Sequence, residues 1–366
     1  MKIKRRKSRK VWVGRVAIGG DAPVSVQSMA KTSTSDISKT IKQIKGLEDA
    51  GCQIVRVAVP DIRSAQAIKA IKKAIKIPLV ADIHFNYRLA LESLKAGADK
   101  IRLNPGNVRR PEEIEAVIKE AKKKKVPIRI GVNSGSVDTA AIHRGRKGAV
   151  RKMAQAALNY IEIFERLKFK DIVISMKGSN VADTIESYRM LAKKTDYPFH
   201  LGVTAAGPLI PGLVKSSLGI GCLLMDGIGD TLRVSLTGDP VNEVRAGYEI
   251  LRAAGIKRHI HTRAAAVEII SCPTCGRCKA DLVSIVEDFE KMLYSLPASR
   301  EQIIPLKVAI MGCVVNGPGE ARESDIGIAF GGRQALFLRK GMPIRKIDEK
   351  DALKILIKEV RKARFT

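Results

Sequence analysis

The sequence predicts a (β/α)8 TIM barrel followed by a small α+β domain. Eight short runs rich in β-branched residues alternate with lysine- and alanine-rich amphipathic segments between Val24 and Gly255, which is the count and size of such a barrel. Charged or amide side chains follow almost every run, and the composition changes near residue 257. A doubly wound parallel sheet is the main alternative, but it usually contains fewer strands.

The first elements are a basic tail and a hairpin. No apolar segment follows the tail MKIKRRKSRK, so we expect no signal peptide. The stretch VWVGRVAIGGDAPVSVQSMAKT predicts a hairpin, with Gly19-Gly20-Asp21 as its turn, that leads into the first barrel strand.

The barrel strands and helices follow in regular order. The predicted strands start at Val24, Ile54, Pro78, Lys100, Ile128, Asp171, Phe199 and Thr231. In the helix TSDISKTIKQIKGLEDAG, Ser35 or Asp36 can cap the start and Gly51 can end it. The helix PEEIEAVIKEAKKKK has proline and acids in its first turn and lysines in its last. The helix VNEVRAGYEILRAAG is expected to close the barrel.

Basic side chains recur where the predicted strands end. They are Arg56, Arg102, Arg129, Lys177 and Arg233, accompanied by Asp82, His84, Asn104, Asn133 and Ser235. Because a barrel gathers the carboxyl ends of its strands on one face, the five cations are expected to form a pocket for a phosphate or diphosphate. The alternative is that each cation is a local salt-bridge partner. Asp82 and His84 would share one strand face, either as a packed pair or as acid–base groups.

The residues after the barrel predict a smaller α+β domain. They contain a helix (ADLVSIVEDFEKMLYSL), two strands (LKVAIMGC and DIGIAFG), a hairpin-like edge and a terminal helix (DEKDALKILIKEVRKA). We therefore expect a substrate-binding barrel at residues 1–257 and a second domain at residues 258–366.

Two cysteine motifs lie in the second domain. SCPTCGRC carries Cys272, Cys275 and Cys278, and MGCVVNGPGEA carries Cys313 and Glu320. A C-x2-C pair places two thiolates on one turn, as iron–sulfur clusters and structural zinc sites both require. The Gly-Pro-Gly loop after Cys313 favours a cluster, because glycine lets backbone N–H groups approach sulfide closely.

Two sets of cluster ligands are compatible with these motifs. All four cysteines could ligate the cluster, since C-x2-C-x2-C opens a bacterial ferredoxin motif. Alternatively, Cys272, Cys275 and Cys313 bind three irons, and Glu320 or substrate takes the fourth. The remaining cysteines, Cys52 and Cys222, are predicted to be buried thiols.

Composition narrows the classes of partner. The formal net charge of +29 suits nucleic acid, an acidic protein or an anionic substrate. Only 4% of the residues are aromatic, which disfavours stacking on single-stranded nucleic acid. Cysteine is too sparse for a secreted disulfide scaffold, and no apolar run is as long as a membrane span. We expect a cytoplasmic protein that binds neither nucleic acid nor membrane.

Three other classes explain less of the sequence. A nucleic-acid-binding zinc protein accounts for the charge and the C-x2-C pair but not for the strand-end residues. A radical barrel enzyme usually has C-x3-C-x2-C spacing, whereas both gaps here are two residues. A pure electron carrier does not need the strand-end arginines.

Ordered motifs along nearly the whole chain resemble one known family. They run from GGDAPVSVQSM through VADIHF, RLNPGN, RIGVNSGS, ESYRMLA and GIGDTLRVSL to SCPTCGR and GCVVNGPGEA. The chain resembles the bacterial 4-hydroxy-3-methylbut-2-enyl diphosphate synthases, iron–sulfur oxidoreductases of the methylerythritol phosphate pathway to isoprenoids. The resemblance implies a two-electron reductive ring opening and dehydration of 2-C-methyl-D-erythritol 2,4-cyclodiphosphate to the linear hydroxymethylbutenyl diphosphate.

The resemblance also implies an architecture and partners. The second domain would be sulfite-reductase-like and carry a [4Fe–4S] cluster. The protein would form a head-to-tail homodimer, and ferredoxin or flavodoxin would donate the electrons.

Roles for individual residues follow from the same resemblance. The cluster ligands would be Cys272, Cys275, Cys313 and Glu320. Diphosphate contacts would fall on Arg56, Arg102, Asn104, Arg129, Asn133, Lys177, Arg233 and Ser235. Asp82 and His84 would lie near the reacting part of the substrate, and substrate would displace Glu320 from iron.

This chain departs from the family pattern at two positions. The family usually has Thr-Glu-Ala-Gly after the seventh strand, whereas this chain has Ala205 in place of the glutamate. Another acid, such as Asp82 or Glu320, would then supply the proton, or the glutamate is not essential. The second departure is Cys278, which keeps the four-cysteine ligand set open.

Overall fold

The computed structural model of the 366-residue chain describes residues 3–104, 110–133, 146–178, 180–256, 266–296 and 305–362. The chain divides into two compact units. The first comprises Met1–Glu48 and Cys52–Arg258, and the second comprises His259–Thr366 together with Asp49–Gly51. The stretch where we predicted the boundary falls largely in residues 257–265, outside the described residues, so the position of the domain boundary remains a prediction.

The first unit alternates strands and helices. Its strands are β1 (Val11–Val13), β2 (Val16–Ile18), β3 (Ser25–Met29), β4 (Ile54–Ala58), β5 (Leu79–Ile83), β6 (Lys100–Leu103), β7 (Ile128–Asn133), β8 (Ile172–Lys177), β9 (His200–Leu201) and β10 (Thr231–Leu232). Its helices are α1 (Ile37–Asp49), α2 (Ile62–Ala74), α3 (Tyr87–Lys95), α4 (Pro111–Lys124), α5 (Arg146–Arg166), α6 (Val181–Ala192), α7 (Leu209–Met225) and α8 (Pro240–Ala253). All eight predicted barrel strands are confirmed.

Strands β3 to β10 form one parallel sheet that is nearly closed into a barrel. The order of the strands is β8-β7-β6-β5-β4-β3-β10-β9. A parallel bridge between Ile174 and Phe199 links β8 to the residue before β9. The carboxyl ends of the strands therefore share one end of the ring, where a barrel carries its site.

The hairpin forms, but our placement of its turn was wrong. β1 and β2 pair antiparallel with Val13 opposite Val16, so the connection is Gly14-Arg15. Gly14 has a φ of +53°, a conformation that glycine adopts without steric cost. Gly19, Gly20 and Asp21 follow β2 instead and lead the chain to the barrel.

The helix ends follow the predicted capping chemistry. The side chain of Asp36 accepts a hydrogen bond from the backbone N–H of Lys39, 3.1 Å away, a contact typically worth about 1 kcal/mol. Helix α4 begins at Pro111 and has Lys122, Lys123 and Lys124 in its last turn, so its charges complement the helix dipole.

The second unit contains a five-stranded mixed sheet. Its elements are β11 (Val267–Ser271), α9 (Leu282–Ser295), β12 (Leu306–Met311), α10 (Gly317–Glu320), β13 (Ile326–Phe330), β14 (Gln334–Arg339), β15 (Met342–Asp348), a 3-10 turn (Glu349–Asp351) and α11 (Ala352–Lys362). The strand order is β11-β12-β13-β14-β15; the first three strands are parallel, and β14 and β15 are antiparallel to their neighbours. β11 was missed from the sequence, because VEIIS is short and its alternation is weak.

The two faces of this sheet pack differently. Val308 and Ile310 belong to a large apolar core that also contains Phe289 of α9 and Leu356 of α11. The alternate residues of β12, Ala309 and Met311, belong to a second and smaller core that also contains Leu338. The period-two alternation of β12 therefore directs its side chains into two separate cores.

Within the described ranges, no helix combines the length and the apolar character needed to cross a membrane.

Candidate active site: a cationic barrel mouth and a cysteine edge

The interior of the barrel carries charge where most barrels carry branched apolar side chains. Lys100 and Arg102 alternate along β6 and both point inward, and Arg129 is the register partner of Arg102 on β7. Exposure is 0% for Lys100, 2% for Arg129, 5% for Arg102 and 8% for Lys177 on β8. Burying so many cations is costly without compensating negative charge.

Asp82 on β5 is the principal anion in this cluster. It accepts a hydrogen bond from Arg102, 3.1 Å away, and its other oxygen lies 3.6 Å from Nε of Arg56. Nε2 of His84 lies 3.4 Å from the same oxygen. Burial opposes ionisation of Asp82, but the charges of Arg56 and Arg102 and the hydrogen bond to His84 hold its pKa well below the usual range. Asp82 is therefore a carboxylate that orients its neighbours, and it is poorly suited to donate a proton.

In the part of the chain that the structure describes, the side chain of Lys177 contacts a histidine and forms no ion pair with a carboxylate. Its Nζ lies 3.4 Å from Nε2 of His200, and the backbone oxygen of His200 accepts a 2.6 Å hydrogen bond from Tyr188. Burial, followed by the positive charges of Arg129 and Lys177, lowers the pKa of His200 well below its ordinary value. The imidazole is thus neutral, and Nε2 can accept the hydrogen bond from Lys177.

The five cations that we predicted at the strand ends are brought together, although Arg56 lies in the middle of β4 and Arg129 near the start of β7. Burial is the largest cause of the lowered pKa of Lys177, and the next causes are the positive charges of Arg129, Arg56, Arg233 and Arg102. These groups therefore repel one another, which means that an anion bound among them would be strongly favoured. This arrangement is the one that an anion pocket requires, and the binding of an anion there stays a prediction.

Two glycines that were not predicted as site residues leave space for the cations. A Cβ at Gly131 on β7 would stand 2.7 Å from Nε of Arg102. A Cβ at Gly202, just after β9, would overlap Nζ of Lys177. Both glycines face the barrel interior, where β-branched residues would normally fill the space. A glycine within a strand signals such a close approach, and that signal was available in the sequence.

Arg233 differs from the other cations because a helix supplies its counter-charge. Its guanidinium lies 3.4 Å from each oxygen of Glu243 on α8. Glu243 is fully buried and was not predicted as a site residue. Its place on the last barrel helix, four residues past Asp239, gave no sequence signal of a role in the site.

The remaining predicted residues of the barrel take varied positions. Asn104 is buried directly after β6, Ser235 is half-buried two residues beyond Arg233, and the side chain of His84 is 49% exposed. The side chain of Asn133 lies outside the described residues. Ala205 is exposed in the turn after β9, with a φ of +50°, and its methyl group cannot exchange a proton.

In the second unit, two parallel strands bring the cysteine motifs to one edge. Ser271, the last residue of β11, is the register partner of Ile310 on β12. Cys272 therefore follows one strand where Gly312 and Cys313 follow the next. The backbone N–H of Gly312 donates to Sγ of Cys272 at 3.3 Å. A Cβ at Gly312 would overlap Sγ of Cys278, so the space around two sulfur atoms depends on this glycine.

Cys313 has the environment of a thiolate ligand. Backbone N–H groups of Asn316, Val315 and Gly317 lower its pKa, and the thiolate is the form that binds metal. Cys275 is exposed, and so is Glu320 at the end of α10. In the ranges that the structure describes, no three His, Cys, Asp or Glu side chains lie close enough together to hold one metal ion.

The residues at this edge nevertheless fit a sulfur-ligated cluster. Gly312 leaves space beside the sulfur atoms of Cys272 and Cys278, and backbone N–H groups point at the sulfur of Cys272 and of Cys313. N–H donors of this kind stabilise thiolate and sulfide. Cys278 also lies at this edge, where its Sγ is 3.2 Å from the backbone oxygen of Ala280, so both ligand sets remain open.

The two other cysteines lie on the barrel unit. Cys52 is buried, which confirms the prediction for this residue, and burial raises the pKa of its thiol to about 12. Cys222 on α7 is only half-buried, so the prediction of a buried thiol was wrong there. The apolar stretch around Cys222 reflects partly exposed helix positions as well as buried ones.

Two family models match the chain. The GcpE TIM-barrel domain matches residues 8–248, and the GcpE protein C-terminal domain matches residues 268–362.

Curated relatives match over almost the whole chain. A protein of Caldanaerobacter subterraneus subsp. tengcongensis is 51% identical over 361 residues, which cover 98% of each chain. One of Thermodesulfovibrio yellowstonii is 51% identical, covering 98% of this chain and 100% of the relative. One of Clostridium perfringens is 52% identical, covering 97% and 99%. All three are named 4-hydroxy-3-methylbut-2-en-1-yl diphosphate synthase (flavodoxin).

Among solved structures, the chain is similar to dihydropteroate synthase from Stenotrophomonas maltophilia. The TM-score is 0.51 at 13% identity, and the match covers 68% of this chain and 98% of that one. At this identity the similarity concerns the fold alone.

Proposed function

The chain belongs to the GcpE family, and on that basis we propose that it is a 4-hydroxy-3-methylbut-2-en-1-yl diphosphate synthase, an iron–sulfur oxidoreductase of isoprenoid biosynthesis. Its substrate would be 2-C-methyl-D-erythritol 2,4-cyclodiphosphate. The reaction takes up two electrons and two protons, opens the ring and releases one water. The observation that carries this proposal is the cluster of five buried or half-buried cations that the barrel strands and the residue after β10 contribute.

The barrel mouth suits a cyclic diphosphate. Its substrate carries two negative charges close together, and Arg56, Arg102 and Arg233 present the forked N–H donors that bind phosphate oxygens in pairs. Lys177 adds a charge that depends on the bound anion, because burial and then the neighbouring cations lower its pKa when no anion is present. Binding would therefore draw its favourable energy from relieving repulsion as well as from new hydrogen bonds.

Asp82 would act on the substrate indirectly. It fixes Arg102 at 3.1 Å and lies 3.4 Å from His84, so it sets the direction of a phosphate ligand and of an imidazole. Since Asp82 is held as the carboxylate, we assign proton transfer near the substrate to His84, whose Nε2 lies 3.4 Å from Asp82 and whose side chain is 49% exposed. The family usually has a glutamate at the position of Ala205, and alanine cannot transfer a proton in its place.

The cysteine edge would hold a [4Fe–4S] cluster through Cys272, Cys275, Cys313 and Glu320. Such a cluster supplies electrons that no side chain can provide. A carboxylate is a harder and more readily displaced ligand than a thiolate, and this supports Glu320 as the ligand that yields to substrate. Gly312 keeps space for the sulfur atoms, and the backbone N–H groups near Cys313 hold its thiolate.

The partners follow from the family and from charge. The names of the relatives include flavodoxin, so we propose flavodoxin as electron donor, with ferredoxin as the alternative. The net charge of +29 suits an acidic donor, because complementary charge speeds association. We also propose that the protein is a cytoplasmic head-to-tail homodimer.

The first test measures iron and sulfide in anaerobically purified protein, with absorption spectra before and after addition of the cyclodiphosphate. About four irons and four sulfides per chain, with a spectrum that changes on addition, would support a cluster that binds substrate. A spectrum that ignores substrate would point to a closed cluster that includes Cys278. Colourless protein with one zinc would contradict the reductase and favour the nucleic-acid-binding class.

A further inference from the structure

Glu243 is a fully buried carboxylate on the outer side of the barrel mouth. It lies in the first turn of α8, between buried neighbours such as Pro240 and Val244. Its exposure is 0%. A buried carboxylate without partners would be strongly destabilising, so the contacts of Glu243 must explain why it is tolerated.

Both oxygens of Glu243 are occupied by donors from two segments of the chain, residues 28–31 and residues 233–236. Oε2 accepts a hydrogen bond from the hydroxyl of Ser28 on β3 at 3.0 Å. Oε1 accepts one from the backbone N–H of Leu236 at 3.1 Å and lies 3.1 Å from Nζ of Lys31. The guanidinium of Arg233 spans both oxygens at 3.4 Å each. One side chain thereby joins the ends of β3 and β10, two neighbouring strands.

Lys31 extends this network along the segment after β10. Its Nζ also donates to the backbone oxygens of Leu236 at 2.6 Å and of Gly238 at 2.5 Å. Arg233 and Leu236, which flank Ser235 in sequence, are therefore both attached to Glu243. The backbone around Ser235 is held on either side, although Ser235 makes none of these contacts to Glu243 itself.

We propose that Glu243 is a positioning residue for the diphosphate subsite. It orients Arg233 and fixes the backbone that carries Ser235, and so it sets the affinity for the two phosphates without touching the substrate. This inference rests on the proposed function and deepens it, because it assigns a residue that neither the motifs nor the resemblance singled out.

Glu243→Gln in the holoenzyme tests the proposal. Glutamine keeps the volume of the side chain, and its amide oxygen can still accept a hydrogen bond from the backbone N–H of Leu236. It lacks the negative charge that balances Arg233 and Lys31, and its NH2 group cannot accept a hydrogen bond from the Arg233 guanidinium. We expect the KM for cyclodiphosphate and the inhibition constant of inorganic pyrophosphate to rise together, each by about tenfold or more, which is ~1.4 kcal/mol. We expect kcat to change by less than about threefold, because groups at the reacting carbon are unaffected.

Matched variants separate positioning from folding. Glu249→Gln lies on the same helix, where Glu249 is exposed and pairs with Arg252, and it should leave KM, kcat and the pyrophosphate constant unchanged. Glu243→Asp keeps the charge and should recover part of the affinity. If Glu243→Gln does not fold, Lys31→Met is used instead, because the side chain of Lys31 is 31% exposed and its replacement disturbs the core less. Lys31→Met should weaken pyrophosphate binding by a smaller factor.

Specific outcomes would overturn the inference. The first is a folded Glu243→Gln protein whose inhibition constant for pyrophosphate equals that of the parent. The second is a Glu243→Gln protein in which only kcat is reduced. The third applies if Glu243→Gln does not fold, and it is a folded Lys31→Met protein that binds pyrophosphate as tightly as the parent. The failure of the proposed function looks different, because then the parent protein itself would neither convert the cyclodiphosphate nor bind pyrophosphate.

Discussion

Gly131 on β7 occupies the strand position that leaves space for the side chain of Arg102 on β6. A Cβ at residue 131 would stand 2.7 Å from Nε and 3.1 Å from Nη2 of Arg102. Neither atom can move away easily, because the side chain of Arg102 is buried, with 5% exposure, and is hydrogen-bonded to Asp82. The geometry of a cation in the site therefore depends on the absence of a side chain on the neighbouring strand.

Gly131→Ala is expected to displace Arg102 and weaken binding of the cyclodiphosphate. We expect KM to rise by about tenfold or more, because a phosphate-binding fork loses its orientation. Steady-state kinetics check this. Gly221→Ala is the control, since nothing lies within 4 Å of a Cβ there and alanine favours a helix. Unchanged kinetics in Gly131→Ala would show that Arg102 does not bind the substrate in this orientation.

Asp82→Asn should destabilise the barrel and inactivate the site. It removes the carboxylate opposite Arg102 and Arg56, and breaking a buried ion pair from one side costs about 3 kcal/mol or more. Urea unfolding and kcat/KM report both effects. In the control Asp226→Asn, an exposed pair with Arg189 is broken, and the loss should stay below about 1 kcal/mol.

The same carboxylate predicts acid sensitivity. The folded pKa of Asp82 lies well below that of an unfolded aspartate, so the unfolded state binds more protons in acid. The stability from Asp82 is complete above about pH 4, the unfolded value, and is lost as the pH falls towards the folded value. As the pH falls below 5, the free energy of unfolding of Asp82→Asn should therefore decrease less than that of the parent protein. Parallel pH curves for the two proteins would refute this assignment.

Binding of the cyclodiphosphate is expected to raise the pKa of Lys177 and so take up protons. In the absence of an anion, burial and the charges of Arg129 and Arg56 lower that pKa well below the ordinary lysine value. A dianion reverses the effect of the neighbouring charges, so affinity should fall as the pH rises. Calorimetric titration of oxidised enzyme in buffers of different ionisation enthalpy measures the protons taken up.

Lys177→Met should reduce this proton uptake, whereas Lys39→Met at an exposed position should not. The direction in which Lys177 changes the stability with pH also follows. The unfolded state binds more protons than the folded state, because the pKa of Lys177 is lowered in the folded state. Lys177 therefore makes the parent protein less stable as the pH falls below about 10. Buffer-independent binding enthalpies would contradict a change in the ionisation of Lys177.

Replacing single ligands should identify the cluster set. If Cys272, Cys275, Cys313 and Glu320 hold the cluster, Cys313→Ser should lose more than about half of the iron, since three thiolates are needed. Cys278→Ser should retain it, as should Cys222→Ser on the barrel unit. Iron and sulfide analysis decides the matter, and iron loss in Cys278→Ser would favour the four-cysteine set.

Glu320→Ala tests the remaining ligand. If the carboxylate is the ligand that substrate displaces, its removal should alter the spectrum of the cluster and lower turnover. Full turnover with an intact cluster would show that Glu320 does not have this role.

The sequence was sufficient for the strands of the barrel and for the chemistry of the side chains. The period of β-branched runs predicted all eight barrel strands, and the capping residues predicted where α1 and α4 begin, because both signals depend on residues close together in the chain. The spacing of Cys272, Cys275 and Cys313 indicated a metal or cluster site in the same way. Such local signals failed for β11, whose short weak pattern is decided by pairing with β12.

Only the tertiary structure decided which charges meet and how they are supported. Ser28 and Glu243 are 215 residues apart in sequence but share a hydrogen bond, and Gly131 matters because of Arg102 on another strand. The sequence determined that arginines would occur along the barrel strands, since Arg56, Arg102 and Arg129 lie on β4, β6 and β7 and Arg233 directly follows β10. It could not determine which carboxylate balances each cation or which glycine makes space for it, because those contacts form only when distant segments close the barrel.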